Sequence, residues 1–281
     1  MPRFLPTGRR LLIAVVLAAS AATLAGPVGR LTVAMPLVLL APGYLVERVL
    51  PAPRPPLLAR LAVWIGLSLG AIALVYQWCW VAGLAIGSTA LWLGTTLVAL
   101  AALGAAWRDL GQPALGERDH GDQRWAIVLT GIIVLATLAL RLADIESLAL
   151  PPWVDSLHHT LLVRVAAETG TAPISLAPYL PVSRLPYHWG YHVVIATLLR
   201  LSGLGLPELM LLSGQILNAL HALTVAGLAL ALWRRPDLGQ IAARAAHRAI
   251  RPGHSAHRSH QGGRGQLCRQ GLSLGRPRRN V

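Results

Sequence analysis

The chain reads as an all-α protein: a polytopic transmembrane helix bundle of about seven apolar segments, with one extracytoplasmic loop that contains an amphipathic helix. Three observations predict this. Of 281 residues, 54% are hydrophobic and only 13% charged, and the mean hydropathy of +0.56 lies outside the ordinary soluble range. The apolar residues come in runs separated by short Pro-, Gly- and Arg-bearing stretches, as membrane-crossing helices require. The longest polar interruption, residues 151–192, gathers Asp155, four histidines and two arginines between apolar neighbours.

The first segment, residues 11–26, follows Arg3, Arg9 and Arg10 and ends in small residues. It reads as a retained spanning helix or as a signal peptide cleaved near Ala25, and retention fits the apolar run that follows at once. That run, residues 31–46, contains Pro36, Pro42 and Gly43 and is short for a bilayer needing roughly 20 apolar residues, so a kinked or re-entrant hairpin is expected. Residues 47–60 carry three arginines and four prolines and read as a cytoplasmic connection. Residues 61–85 and 88–107 are long apolar runs around a minimal turn at Ile86 and Gly87, a transmembrane hairpin. Trp78, Trp80 and Trp107 fall near its ends, where indole rings favour the headgroup region.

The polar run 108–124 reads as a solvated linker, and residues 125–142 as the fifth segment, ending with Arg141 placed to snorkel. After the central loop, residues 193–204 and 207–233 give two more segments, Pro207 suiting a first helical position. Gln215, Asn218 and His221 recur every three residues, so they are expected on one face that points into the bundle. The organisation is therefore 1–107 as an N-terminal membrane module of four segments, 108–124 as a cytoplasmic linker, 125–233 as a second membrane region with an outer loop at 143–187, and 234–281 as a basic tail.

The formal net charge of +14 suggests nucleic acid until its distribution is read. Residues 1–233 hold 14 Arg against 10 acids, whereas 234–281 hold 11 Arg against Asp237 alone, so the body is only mildly basic and no nucleic-acid partner is expected. The tail reads as disordered, as an RNA- or anionic-lipid-binding segment, or as an out-of-frame end. Cys79 and Cys268 supply neither a disulfide framework nor metal-ligand spacing. With the N-terminus inside, the cytoplasmic regions hold nine arginines against Arg30, Arg141, Arg164 and Arg184 outside, which places the central loop outside. Seven crossings would leave the Arg-rich tail outside as well, against the positive-inside tendency.

The loop carries the candidate chemistry. Residues 154–168 read as an amphipathic helix, with Leu157, Leu161, Leu162, Val165 and Ala166 on one side and Gly170 stopping it. Pro173, Pro178, Pro181 and Pro186 are expected to hold the chain extended up to Tyr187. Asp155 is a candidate general base for an attacking hydroxyl, or the N-cap of its helix. His158, His159, His188 and His192 offer imidazoles for a divalent ion or a phosphate, or are interfacial histidines; no Cys or HExxH pattern accompanies them. Arg164 and Arg184 suit a lipid phosphate, or headgroup anchoring.

A helix ending in Arg141, Asp155 ahead of an amphipathic helix that stops at Gly170, then PYLP, and YHWGYH opening the next helix resemble the GT-C glycosyltransferases of the protein-mannosyltransferase-like group over residues 125–233. The stretch APGYLVERVLP and the paired long helices before it look like an accessory module ahead of such a domain. The resemblance implies transfer of a sugar from a polyprenyl-phosphate donor at the outer face of a bacterial plasma membrane. It implies Asp155 in the catalytic place, as base or acceptor-positioning group; on this reading His158, His159, Arg184, Tyr187, His188 and His192 are expected at the substrate, with no organic cofactor and, at most, a divalent cation. Two departures stand out: the family often has adjacent acids where Asp155 is followed by Ser156, and its many later helices are missing, so the chain is expected to be an N-terminal part. The second reading is a non-catalytic transport or assembly component that binds a lipid or partner through the loop. Oligomeric state has no signature in the sequence.

Overall fold

In the computed structural model the apolar runs become helices, and no strand occurs among the described residues, which are 7–51, 55–110, 120–152 and 154–233. The expectations for the tail and for most of the linker lie outside them. The helices are α1 (Thr7–Leu24), α2 (Pro27–Val49), α3 (Leu57–Val81), α4 (Ser88–Asp109), α5 (His120–Ile145), α6 (Val154–Thr169), α7 (Gly190–Ser202) and α8 (Leu206–Trp233). Six of them, all but α6 and α7, are long and apolar enough to cross a bilayer. The chain is a multi-pass helical membrane protein.

The second segment is longer than the sequence suggested, because α2 runs through both prolines for 23 residues. A proline within a helix removes one backbone bond, and beside Pro42 the next amide turns to the neighbouring helix: Gly43 N–H donates to Ser68 Oγ at 2.8 Å. Glycine is required at that point. A Cβ on Gly43 would lie 2.0 Å from the Trp64 carbonyl oxygen, so the α2 and α3 backbones meet where a side chain would stand, the small-residue contact typical of membrane helices.

The sixth apolar segment differs most from expectation. At 13 residues, α7 is about 20 Å long, against a hydrocarbon core of about 30 Å. Nine consecutive or near-consecutive residues, from His192 to Ser202, are buried, and they pack against α6, α2, α3 and α8. α7 is therefore embedded in protein and does not cross. The main core joins Leu31, Met35 and Leu39 of α2, Tyr76 of α3 and Leu209 of α8 around Val193, Val194, Ile195 and Leu198 of α7. That core draws on segments from both sides of the 108–124 linker.

Contacts between helix ends define the two faces of the bundle. On one, the start of α1 meets the end of α4 through Arg9 Nε and the Trp107 carbonyl, 3.4 Å. There too the end of α2 meets the end of α4 through Arg48, Asp109 and Tyr44, and Gly227 near the end of α8 lies against Leu58 and Ala59 at the start of α3. Glu47 of α2 accepts from Arg60 Nε and Nη2, 3.0 and 2.9 Å, and from Trp64 Nε1, 2.9 Å. On the other face, the α3–α4 turn meets Gly170 and Arg200, and Arg30 at the start of α2 lies beside Gly203. Six crossings satisfy all of these contacts and bring the end of α8 to the side where α1 begins.

In α8 the polar residues divide. Gln215 is partly buried, whereas Asn218 and His221 are exposed on the outside of the bundle and do not point inward as expected. Steps of three residues drift round the helix by about 120° from Gln215 to His221, and only the Gln215 end of that arc is turned toward the bundle.

Candidate functional site

The loop on the face opposite the start of α1 is built from α6, the return segment 170–189 and the start of α7. Gly170 ends α6 in the left-handed conformation, φ +66°, with its N–H on the Ala166 carbonyl at 3.0 Å and its own carbonyl accepting from Ile86 N–H at 2.8 Å. The prolines do not hold the next residues extended throughout. The chain doubles back: Leu185 N–H donates to the Ile174 carbonyl, Leu176 N–H to the Val182 carbonyl, and Tyr179 N–H to the Leu176 carbonyl. Ser175 Oγ donates to the Val182 carbonyl at 3.0 Å. Doubling back returns residues 187–192 to α6.

A bracket fixes the turn against α6. Tyr179 Oη donates to Glu168 Oε2 at 2.6 Å and Arg164 Nε to Glu168 Oε1 at 2.9 Å, while the Arg164 guanidinium lies 4.7 Å from the Tyr179 ring centre. The Tyr179 hydroxyl first, and Arg164 second, hold the Glu168 carboxyl below the usual carboxylate range. Arg164, a candidate for lipid phosphate, is thus occupied in positioning the loop.

Of the predicted site residues, His159, Tyr187, His188 and His192 come together. His159 Nδ1 and His192 Nε2 lie 2.8 Å apart, with ring centres 5.1 Å apart and planes within 17°. Tyr187 stacks on His188 at 4.2 Å and lies 6.1 Å from His159 and 5.9 Å from His192. Tyr191, which the sequence reading left out of the site, closes the group edge-on, 5.5 Å from His192 and 6.4 Å from His159. Its only signal was its place in YHWGYH, one residue before the buried histidine.

His192 is 1% exposed, and its Nδ1 is buried without a hydrogen-bond partner. Burial pushes its pKa down to about 4, with the nearby His159 and His188 acting in the same direction and the Trp189 backbone opposing. His192 is therefore neutral at physiological pH, and the pair shares one N–H between the two facing nitrogens. A divalent ion would have to displace that bond, and no three His, Cys, Asp or Glu side chains converge as a metal cage among the described residues.

Asp155 is exposed and stands in the first turn of α6. As the second helical residue it is not the N-cap, although a carboxylate there is still favoured by the helix dipole. It precedes His159 by four residues and so shares its helix face. His158 points away, exposed, one residue round the helix, and Arg184 is exposed on the return segment; no contact joins either to the cluster. The apolar face of α6 is also rotated from expectation: Leu162, Val163, Val165 and Ala166 are buried while Leu157 is 60% exposed. The arrangement offers an exposed carboxylate one helical turn from a cluster of phenol and imidazole rings that includes a histidine held neutral at physiological pH. No family model matches the chain, and neither a curated protein nor a solved structure matches it.

Proposed function

We propose that this membrane protein acts on a polyprenyl-phosphate-linked sugar at the outer face of a bacterial cell membrane, as a glycosyltransferase or the N-terminal part of one. The observation that supports it is the exposed carboxylate of Asp155 one helical turn from His159 and its aromatic neighbours. In the proposed step an acceptor hydroxyl attacks the anomeric carbon, the bond from that carbon to the phosphate oxygen breaks, and polyprenyl phosphate leaves with the electron pair. Asp155 accepts the hydroxyl proton. Tyr187 and Tyr191 present ring faces suited to the apolar face of a sugar, and neutral His192 orients His159. The layout shared with GT-C enzymes over residues 125–233 points the same way.

One observation favours the non-catalytic reading, a lipid- or partner-binding membrane component. Among the described residues, sizeable apolar cavities lie between α2, α3 and α4, between α1, α2 and α4, and between the end of α5 and the start of α8, and Asp155 lines none of these. The deciding experiment measures sugar transfer from a polyprenyl-phosphate donor in proteoliposomes. Asp155→Asn is expected to lower the rate by at least about 100-fold, the range of a lost general base, with folding unchanged. Transfer at the wild-type rate by Asp155→Asn removes the catalytic assignment, and no transfer by the wild type favours the binding reading.

A further inference from the structure

α3 and α4 are joined by the short turn at residues 82–87, yet they do not pack on one another; α2 packs against both. The splayed arms and α2 enclose a cavity of about 420 Å³. Its wall includes Val38 and Pro42 of α2, Ile72 and Val75 of α3, and Gly94 and Val98 of α4, with Ile86 and Thr197 at its outer end. Thr95 spends its hydroxyl on the Leu91 carbonyl, and Tyr76 and Thr197 bond each other. No charged side chain lines the space. The half-open space is apolar and nearly three times the roughly 150 Å³ that holds benzene, which is room for a chain of about 16 to 18 carbons.

The outer mouth is marked by a cation. Arg200, one turn beyond Thr197, donates from Nη1 to the Ile86 carbonyl at 2.7 Å and from Nη2 to Ser88 Oγ at 3.4 Å. It forms no ion pair with a carboxylate among the described residues, whereas Arg48, Arg60 and Arg164 do. Its remaining N–H groups suit a phosphate oxygen, which a guanidinium binds in a fork. A chain-sized apolar cavity that opens between two membrane helices, with a cation free of carboxylates at its outer end, matches the two parts of a phospholipid.

We infer that the space between α2, α3 and α4 is a binding site for one outer-leaflet phospholipid, with the phosphate on Arg200 and Ser88 and an acyl chain running between the α3 and α4 arms toward Leu45 and Val46 of α2. The site is separate from the Asp155 cluster and does not depend on sugar transfer. Its role is to hold the α3–α4 turn, and through Ile86 the end of α6, at a fixed place on the membrane.

The test uses the full chain in detergent micelles and phosphatidylglycerol carrying a photoactivatable acyl chain, with diacylglycerol bearing the same chain as the neutral probe. Labelling is expected on the lining of α2 and α4, with phosphatidylglycerol favoured on the order of tenfold, as one charge-assisted contact gives. Arg200→Gln is expected to remove that preference and leave the diacylglycerol signal. Gly94→Phe fills open space and is expected to lower both signals at least fivefold; Val98→Trp serves the same purpose should the first variant not fold. Asp155→Asn is expected to label as the wild type does. Equal labelling by both probes in the wild type, or undiminished labelling in a folded cavity-filling variant, overturns the inference. So does displacement of the probe by polyprenyl phosphate at lower concentration than by unlabelled phosphatidylglycerol.

Discussion

Replacing Gly170 by alanine tests how the loop is fastened to the bundle. Two effects add at this position. The left-handed conformation, φ +66°, costs a residue with a Cβ about 1–2 kcal/mol. The new Cβ would also lie 2.5 Å from the Ile86 carbonyl oxygen. Ordinary contact begins near 3.4 Å, so the two backbones must part by about 0.9 Å, enough to break the Ile86 N–H to Gly170 carbonyl bond of 2.8 Å and lose a further 0.5–1.5 kcal/mol or so. The expected loss is about 1.5–3.5 kcal/mol. Gly83 supplies the control, because its φ is +69° but a Cβ there meets nothing within 4 Å; Gly83→Ala is expected to lose only the conformational part. Apparent melting temperatures in one detergent compare the two, at roughly 2–4 °C per kcal/mol for a chain of this size. Protease accessibility of residues 171–189 provides a second readout, expected to rise in Gly170→Ala alone. If the two variants melt together and cleave alike, the docking of Gly170 on Ile86 contributes nothing and the reasoning is wrong.

Two further outcomes follow from the packing and the buried imidazole. Gly43→Ala places a methyl 2.0 Å from the Trp64 carbonyl and endangers the Gly43 to Ser68 bond, so a loss of about 2–4 kcal/mol is expected, read by thermal melting; Gly66→Ala, open on all sides, should melt close to the wild type. His192 titrates at about 4 in the fold against about 6.5 in an unfolded chain. The unfolded state therefore binds more protons in that window, and stability that is full above pH 6.5 falls as pH drops toward 4, by at most about 3 kcal/mol. Melting between pH 7.5 and 4.5 checks this, with His192→Phe expected to flatten the dependence; an unchanged slope in that variant assigns the acid sensitivity elsewhere.

Much of the bundle was legible because hydropathy reports which residues avoid water. The long runs became α3, α4, α5 and α8, and Gly170 and Gly203 ended helices in the left-handed conformation. Depth was not legible. Residues 193–204 are apolar because α2, α3, α6 and α8 surround them, and a run of about a dozen apolar residues is the same whether protein or lipid covers it. Periodicity placed Asn218 and His221 together with Gln215 but carried no information on the direction of that face. Within the loop, the HxxxH spacing put His192 beside a helix start, whereas its pairing with His159 depends on the turn at residues 174–185, which proline content alone did not reveal. Arg164 looked available because its partners, Glu168 and Tyr179, meet only after the chain doubles back.

α7 also fixes an order of assembly. Six helices can enter a bilayer one after another on their own hydrophobicity, and then associate side by side. α7 has no such independent course, since 13 residues neither span lipid nor satisfy a membrane insertion threshold by length. Its surroundings are completed only when α8, the element after it in the chain, has crossed and packed on α3. The His159–His192 contact rests on α7, so among the described residues the cluster cannot form before α7 is enclosed, and a fault in any of the four helices around α7 is felt there.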